Sequence, residues 1–307
     1  MRDSHTLPRS TWLLLAALSL FWGMNWPMIK MALGDLPVWT FRALCTLVGG
    51  SGLLLIARLS RQSIALPRAE WLRMGFTSLF NITLWNVLVT YGVRELPSGR
   101  SAILAYTMPL WTILLSAWLL GEKLTPRRIL GVSLGMAGLL LLLGRELLSL
   151  QSAPLGAALI IGGAMSWSFG ITLIKKYPSS LKTAAFTGWN LIIGGLPLLA
   201  GALIFDPPHW RPVGLPSMVG LLYNIFIAFI FCHWAWFRLV ELAPVGISSL
   251  GSLMIPVVAV ISGMVILGEQ PHWQDYAALG LILAAVGSVI VPARGTPPPS
   301  TRTPDRR

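Results

Sequence analysis

Charged residues are scarce in this chain: Asp, Glu, Lys and Arg make up 11% of its 307 residues, whereas hydrophobic residues make up 55%. Soluble domains usually contain about 25% charged residues, so too little polar material is present to cover a water-soluble particle. The two cysteines, Cys45 and Cys232, lie inside apolar runs, which argues against a disulfide framework and a thiolate metal cluster. The composition therefore excludes a soluble enzyme, a secreted disulfide scaffold and a disordered chain, and we expect no metal or cofactor.

Basic residues outnumber acidic ones and give a net charge of +12, which in a soluble protein would suggest nucleic acid. Here the basic residues lie between hydrophobic runs, so we interpret them as determinants of membrane topology and expect no nucleic-acid partner. The first apolar run, near 11–32, is too long for a signal peptide and lacks a small-residue cleavage site followed by polar sequence. The expected partners are the lipid bilayer and a small-molecule substrate.

Long apolar runs recur along the chain, separated by short intervals that contain Pro, Gly and charges. A hydrocarbon core of about 30 Å requires roughly 20 helical residues. Runs of that size lie near 11–32, 36–59, 70–92, 97–120, 126–144, 153–174, 181–204, 217–240, 244–267 and 273–292. Because they lack the alternation of a barrel strand, we predict an all-α polytopic membrane protein with ten transmembrane helices.

The distribution of arginine and lysine predicts the orientation. With a cytoplasmic N-terminus, the inside segments hold 17 of the 23 basic residues, the outside segments hold 5, and Arg42 alone stays within a span. Both termini are therefore predicted to be cytoplasmic. The tail 293–307, which contains Pro297-Pro298-Pro299, is predicted to be disordered.

The two halves of the chain repeat the same landmarks in the same order. The matched positions are Trp22 and Ile29-Lys30 with Trp167 and Ile174-Lys175; Pro97, Gly99, Pro109 and Gly121-Glu122 with Pro244, Gly246, Pro256 and Gly268-Glu269; and Gly131 and Gly138 with Gly280 and Gly287. Since each half has five spans, an odd number, the second half enters the membrane from the opposite side. We therefore predict two inverted five-helix repeats, 1–150 and 151–292, an arrangement typical of secondary transporters.

Several of these segments resemble a known family. The run Trp22-Gly23-Met24-Asn25-Trp26 to Lys30, Arg42 after Leu36-Pro37, and the run from Tyr91-Gly92-Val93 through Pro109 to Gly121–Thr125 are similar to EamA-type drug/metabolite transporters. Within that superfamily the chain most resembles the YddG-type exporters of aromatic and other neutral amino acids. The resemblance implies ten helices, a central cavity between the repeats and export across the bacterial inner membrane. The second repeat departs from the pattern, because Gly170 aligns with Asn25.

Aromatic and polar residues deep in the spans are the candidate substrate-binding residues. They are Trp22, Asn25, Trp26, Lys30, Asn81, Trp85, Tyr106, Trp167, Lys175, Asn224 and His233. Indole rings suit apolar or aromatic side chains, and the amides and the phenol suit an amino-acid backbone. The repeat-related lysines either guide a carboxylate at the two mouths or extend into lipid headgroups. The alternative for the deep tryptophans and for the lone histidine is packing.

Three further residues are predicted to have structural or gating roles: Arg42, Pro109 and Pro256. The arginine either attracts a substrate carboxylate or bonds backbone carbonyls near one membrane face. Each proline leaves the carbonyl four residues earlier without its helical hydrogen-bond partner. The freed carbonyl either lines a cavity as a hydrogen-bond acceptor, or the proline only kinks the helix.

The eleven carboxylates all fall in tails, loops or span ends, so the sequence predicts facilitated diffusion rather than obligatory proton coupling. The leading function is export of neutral and aromatic amino acids, and the alternative is export of other metabolites or lipophilic drugs. An intramembrane enzyme would need a nucleophile–base pair or a metal site in the spans, and a receptor would not explain the inversion. The small-residue patterns Gly131-xxx-Gly135 and Gly280-xxx-Ala284 predict internal helix packing in a monomer, with dimerisation as the alternative.

Overall fold

The computed structural model describes residues 9–148, 153–207, 212–242 and 254–290, and all regular structure within these ranges is helical, without strands. Seven described helices are long and apolar enough to cross a membrane: Thr11–Ala32, Val38–Leu59, Arg68–Glu95, Ser98–Leu120, Pro154–Lys176, Thr183–Phe205 and Leu215–Trp236. The apolar helix Met254–Leu267 is shorter. The all-helical membrane fold is therefore confirmed. Both termini, the tail 293–307 and the landmarks Pro244 and Gly246 lie outside the described residues.

Five helical units make up the first half, and we number them in chain order. Helix 1 is Arg9–Ala32, and helix 2 is Val38–Leu59. Helix 3 comprises Arg68–Glu70, Trp71–Ser78, the π-helical segment Leu79–Leu84 and Trp85–Glu95. Helix 4 comprises Ser98–Ala105 and Met108–Leu120, and helix 5 is Pro126–Leu148.

The second half repeats this series. Helix 6 is Ala153–Lys176, and helix 7 is Thr183–Phe205. Helix 8 comprises Leu215–Leu222, the π-helical segment Tyr223–Cys232 and His233–Leu242. Helix 9 is described over Met254–Leu267, and helix 10 is Trp273–Ile290. The equivalent helices 3 and 8 thus both contain π-helical turns, which are rare and frequently occur at functional sites.

The break in helix 4 has a local cause in the sequence. Pro109 lacks an amide hydrogen, so the carbonyl of Ala105 cannot receive the usual helical bond. Helix 4 stops at Ala105 and restarts at Met108, while the hydroxyl of Thr107 donates to the Leu104 carbonyl at 2.7 Å. Pro256 is the third residue of the described part of helix 9, but its carbonyl partner Ser252 lies outside the described residues.

The two halves interlock through cross-half helix pairs. The most extensive contacts join helices 2 and 7, 5 and 10, 3 and 6, and 1 and 9, while helix 1 also packs on helix 8 and helix 6 on helix 4. If each helix is replaced by its equivalent in the other half, helix 1 by helix 6 and so on, the same set of pairs results. A two-repeat architecture requires this symmetry. Small residues allow the closest approaches: a Cβ on Gly50 would lie 2.9 Å from the Gly188 carbonyl oxygen.

The small-residue patterns behave differently in the two halves. A Cβ on Gly135 would lie 2.1 Å from Leu110 Cδ1, so this glycine packs internally. Nothing described lies within 4 Å of a Cβ on Gly280, and Ala284 is exposed. Among the described residues, the helix 10 pattern therefore has no packing partner, because helix 10 turns these residues away from the described helices.

The helix termini form two opposite ends of the bundle. Helix 4 starts beside the end of helix 1, where Ser98 and Lys30 both approach Glu269. Helix 4 finishes beside the end of helix 6, where Glu122 pairs with Lys175. We call these the Lys30 end and the Lys175 end. Equivalent helices 1 and 6 therefore run toward opposite ends.

The carboxylate of Asp206, which directly follows helix 7, caps helix 2 at the Lys30 end. Oδ2 of Asp206 accepts hydrogen bonds from the Thr40 backbone amide and hydroxyl, both at 2.6 Å. This amide is one of the initial N–H groups that a helix leaves without an internal partner. The second half therefore anchors the start of helix 2 in the first.

Replacing Asp206 by alanine is expected to lower the thermal midpoint of the purified protein, because removing a helix cap costs about 1–2 kcal/mol. Asp206→Asn retains an acceptor oxygen and should lose less. Glu95→Ala, which removes an exposed carboxylate at the same end, is the control. Equal midpoints for Asp206→Ala and Glu95→Ala would show that the cap contributes nothing.

Candidate functional site

Helices 3 and 6 bring two deep tryptophans together. The ring centroids of Trp85 and Trp167 are 5.2 Å apart, with the planes inclined by 56°. The Asn81 side-chain amide donates to the Trp167 backbone carbonyl at 3.5 Å. Trp85 is the first residue after the π-helical segment that contains Asn81. Three of the sequence candidates therefore form one aromatic and polar cluster between the halves.

The geometry of this cluster explains why the second repeat has Gly170 where the first has Asn25. A Cβ on Gly170 would lie 2.7 Å from Asn81 Cβ and 2.9 Å from the Asn81 backbone nitrogen. Helix 3 occupies the space that a side chain would need. The departure from the family pattern is thus a requirement of close packing between helices 3 and 6.

A second aromatic cluster joins helices 1 and 8 in the equivalent relationship. The Trp22 ring lies 5.6 Å from His233 and 6.0 Å from Trp236. Phe229 stacks on His233 at 5.6 Å, and the His233 Nδ1 is 2.9 Å from the Ala228 carbonyl, an arrangement in which Nδ1 carries the hydrogen. Like Trp85, His233 directly follows a π-helical segment. Trp22 and Trp167 thus belong to separate clusters.

Arg42 is a buried cation in helix 2, with 3% of its surface exposed. Its Nε donates to Thr90 Oγ1 of helix 3 at 2.5 Å, and its NH1 donates to Asn224 Oδ1 of helix 8 at 3.4 Å. Its guanidinium also lies 4.7 Å from the Phe41 ring centroid. Within the described part of the chain its hydrogen-bond partners are neutral side chains. A buried charge normally requires a partner of opposite sign.

Asn224, the other polar candidate of helix 8, is fully buried and belongs to the same cross-half link as Arg42. Its amide nitrogen donates to the Gly220 carbonyl at 2.9 Å, which leaves Oδ1 directed to the guanidinium. Asn81 and Asn224 therefore occupy the π-helical segments of equivalent helices and both form contacts that connect the halves.

Each repeat-related lysine meets a glutamate of the other half. Lys30 Nζ donates to the Leu96 carbonyl at 2.6 Å and lies 4.0 Å from Glu269 Oε1. At the opposite end Lys175 pairs with Glu122, which also contacts Arg128 at 3.0 Å. The hydrogen bond from Lys175 lowers the pKa of the Glu122 carboxyl. Both lysines thus bond protein groups at the two ends.

The remaining candidates are dispersed around these clusters. The Oδ1 of Asn25 is buried and has no hydrogen-bond partner among the described residues. Trp26 is 7% exposed and belongs to the main apolar core, against which Tyr106 packs. Pro109 lies at the restart of helix 4, Pro256 lies in the described part of helix 9, and we assign no ligand contact to either proline.

Sequence reasoning missed the partners of these candidates. Thr90, Glu122 and Glu269 are not among the sequence candidates, although Gly121-Glu122 and Gly268-Glu269 match as equivalent positions. Because the two glutamates are equivalent and the two lysines are equivalent, the sequence could have predicted a lysine–glutamate pair at each end of the bundle. Thr90 offered no such signal, because a threonine in an apolar helix is an ordinary residue.

A small cavity lies at the Lys30 end. Its volume is about 150 Å³, and its lining includes Gly99, Arg100, Glu269, His272 and Asp275. Arg100 Nε and Asp275 Oδ1 form an ion pair of 2.8 Å across it. The described residues contain no cluster of three or more His, Cys, Asp or Glu side chains suited to a metal ion.

The chain is similar to transporters over nearly its full length. The model of the EamA-like transporter family matches residues 9–144 and 154–291. An uncharacterized transporter YvbV of Bacillus subtilis is 30% identical over 292 residues, which cover 91% of this chain and 92% of that protein. A probable amino-acid metabolite efflux pump of Escherichia coli is 25% identical over 284 residues, covering 88% and 90%.

Two further comparisons agree. The protein PecM of Dickeya dadantii is 31% identical over 228 residues, covering 72% of this chain and 74% of that protein. A solved crystal structure superimposes with a TM-score of 0.63 at 20% identity, covering 91% of this chain and 96% of the other, and it supports the fold alone. Apolar helices, a two-repeat architecture and a family match over most of the sequence lead to one conclusion: this multi-pass inner-membrane protein is a member of the EamA-like transporter family.

Proposed function

We propose that this transporter exports neutral and aromatic amino acids by alternating access, through facilitated diffusion and with both termini in the cytoplasm. Ten membrane crossings, formed by the inverted repeats 1–150 and 151–292, provide the frame for this mechanism. In that orientation the Lys30 end faces the periplasm. The proposal rests on one observation above all: Arg42 is a buried guanidinium whose described hydrogen-bond partners are neutral.

A zwitterionic substrate supplies what Arg42 lacks. Its carboxylate provides the opposite charge, and charge-assisted hydrogen bonds to a guanidinium are roughly twice as strong as neutral ones. Arg42 donates to Thr90 and Asn224, from helices of both halves, so a carboxylate bound there would contact the interface at which the halves move. A chemically similar ligand without a carboxylate would leave the charge of the Arg42 guanidinium uncompensated.

The Trp85–Trp167 pair provides a place for the substrate side chain. Thr90, the partner of Arg42, and Trp85 are five residues apart on helix 3, which corresponds to an axial rise of roughly 7.5 Å. The residues that hold Arg42 and the aromatic pair thus both belong to helix 3. Homologues named as probable amino-acid metabolite efflux pumps support the same substrate class.

Counterflow in proteoliposomes tests the proposal directly. Purified protein preloaded with unlabelled phenylalanine should accumulate labelled phenylalanine and leucine transiently, but should not accumulate phenethylamine, which lacks the carboxylate. A pH gradient alone should drive no accumulation. Counterflow of lipophilic cations without counterflow of amino acids would favour the alternative of drug export.

Trp167→Leu is expected to reduce the preference for phenylalanine over leucine by about 2- to 10-fold in kcat/KM, because a favourable aromatic pair contributes roughly 0.5–1.5 kcal/mol. The matched control is Trp118→Leu, which removes an indole that is 75% exposed on helix 4. An unchanged preference in Trp167→Leu would assign the pair to packing.

A further inference from the structure

Helix 1 contains a buried acceptor oxygen to which no group of the described chain donates. Four buried side-chain oxygens of the described residues have no hydrogen-bond partner: Thr11 Oγ1, Asn25 Oδ1, Gln62 Oε1 and Ser78 Oγ. Two of them belong to hydroxyl groups, which can also donate, and Gln62 lies in the connection between helices 2 and 3. Among the described residues, Asn25 therefore carries the only buried, unpartnered amide oxygen within a membrane-spanning helix.

This oxygen is unfavourable in the protein without a ligand. An amide oxygen only accepts hydrogen bonds, so burial without a donor removes its bonds to water and provides none in return. Most buried polar atoms of proteins do have a partner, and an exception requires a physical reason. A ligand that brings its own donor would satisfy the Asn25 oxygen.

The side of helix 1 that carries Asn25 faces the interior of the bundle. Trp22 and Ile29 are three and four residues away from Asn25 and lie on the same helix face. Ile29 belongs to the main apolar core, and Trp22 packs against it. Asn25 as a whole is half-buried. Because its face points inward, the exposed part of this residue borders the interior rather than lipid.

Contacts on both sides of Asn25 define its level relative to helix 8. The Phe21 carbonyl accepts a hydrogen bond from the Tyr223 hydroxyl at 2.8 Å. Further along helix 1, a Cβ on Gly220 would lie 2.5 Å from the Met28 carbonyl oxygen. Asn25 lies between these two contacts and is therefore level with the start of the π-helical segment of helix 8.

The equivalent pair of helices, 3 and 6, has the same register. The Ser166 hydroxyl of helix 6 donates to the Phe80 carbonyl of helix 3 at 2.7 Å. One turn further along helix 6, a Cβ on Gly170 would lie 2.7 Å from Asn81 Cβ. Asn25 is the residue that aligns with Gly170, so the same register places it next to the equivalent asparagine of helix 8.

That asparagine is Asn224, which links the level of Asn25 to the Arg42 guanidinium. Its Oδ1 accepts from Arg42 NH1 at 3.4 Å, and its Nδ2 donates to the Gly220 carbonyl at 2.9 Å. A buried cation and an unpartnered acceptor oxygen are thus both neighbours of one asparagine. An amino-acid backbone complements this pair, because its carboxylate accepts from a guanidinium and its ammonium has three hydrogens to donate.

We infer that Asn25 binds the substrate ammonium while Arg42 binds the carboxylate. This inference rests on the proposed function and adds to it a requirement for both charged groups of the amino acid. A ligand without the ammonium leaves the Asn25 oxygen without a donor, and a ligand without the carboxylate leaves the guanidinium without an opposite charge. Helices 1 and 2 of the first half thus select zwitterions.

Two analogues of phenylalanine separate the two charged groups of the substrate. Phenethylamine retains the ammonium alone, and 3-phenylpropionate retains the carboxylate alone; both are tested as inhibitors of phenylalanine efflux from proteoliposomes. Asn25→Leu, which removes the amide at similar volume, is expected to raise KM for phenylalanine and the inhibition constant of phenethylamine by about tenfold. The inhibition constant of 3-phenylpropionate should not change.

The thermal midpoint of the purified protein separates ligand binding from packing. Because the Asn25 oxygen has no partner in the absence of substrate, Asn25→Leu should keep or raise the midpoint. Added phenylalanine should stabilise this variant less than the unmodified protein, since it binds more weakly. Asn25→Ala, which adds no bulk, is the second variant and should show the same pattern of inhibition.

The matched control is Asn190→Leu, which removes a buried amide from helix 7 and should change neither KM nor the two inhibition constants. An unchanged KM for phenylalanine in both Asn25 variants would overturn the ammonium assignment. Equal weakening of the two analogues together with a lower midpoint would also overturn it and assign Asn25 to packing. In either case amino-acid export by the unmodified protein would stand. Absence of phenylalanine counterflow in the unmodified protein would instead contradict the proposed function, and this inference with it.

Discussion

Arg42→Gln is expected to raise KM for phenylalanine by about 10- to 100-fold at normal protein abundance. A hydrogen bond to a charged group contributes about 1.5–3 kcal/mol, and each 1.4 kcal/mol corresponds to a factor of ten. The loss should appear in KM, because the guanidinium binds the carboxylate before and during translocation. Initial rates of efflux over a range of substrate concentrations in proteoliposomes provide the measurement.

Two comparisons separate binding from a structural role for Arg42. Thr90→Val removes the neutral hydroxyl that holds the guanidinium but retains the charge, so it should raise KM far less. Inhibition of efflux by phenethylamine, which has no carboxylate, should not weaken in Arg42→Gln relative to the unmodified protein. If Arg42→Gln instead lowers the thermal midpoint and weakens both ligands equally, the arginine is a structural link between helices 2, 3 and 8.

Gly170→Ala is expected to destabilise the protein by about 1–3 kcal/mol and to suppress transport. The added methyl would overlap Asn81, including its backbone nitrogen at 2.9 Å, so helices 3 and 6 must separate. Separation would also displace Trp85 from Trp167 and loosen the proposed side-chain site. The thermal midpoint and the counterflow rate of the purified variant measure the two effects.

The matched control for this substitution lies on the same helix. A Cβ on Gly162 would find only Leu88 Cδ1, at 3.6 Å, which is an ordinary contact. Gly162→Ala should therefore keep or slightly raise the midpoint, because alanine favours a helix more than glycine does. Comparable losses in Gly162→Ala and Gly170→Ala would mean that glycine matters through helix flexibility rather than through contact with Asn81.

Much of the candidate site was predictable as a set of residue types but not as a set of contacts. The repeat pointed to Trp22 and Trp167 as equivalent, and the structure places them in equivalent cross-half clusters. The repeat did not indicate that Trp22 would pair with side chains of helix 8 and Trp167 with a side chain of helix 3, rather than the two indole rings with each other. Ring pairing depends on how helices cross, and a repeat reveals equivalence without revealing proximity.

The two lysines show the same limit. Their equivalence suggested one charge near each mouth, with either substrate guidance or lipid headgroups as the role. The structure gives each lysine a glutamate from the other half, with Lys30 and Glu269 separated by more than 200 residues along the chain. Helical periodicity describes only local neighbours, so partners this distant emerge only when the halves pack.

The sequence by itself determined that this chain is a helical, two-repeat membrane transporter, because long apolar runs in a bilayer leave the backbone no alternative to the helix. Only the tertiary structure decided that Arg42 bonds Thr90 and Asn224, that Asn81 fills the space beside Gly170, and that a π-helical segment precedes both Trp85 and His233. The apolar pattern fixes which segments are buried in lipid. The crossing and register of the helices fix which side chains meet, and these follow from close packing between segments far apart in the chain.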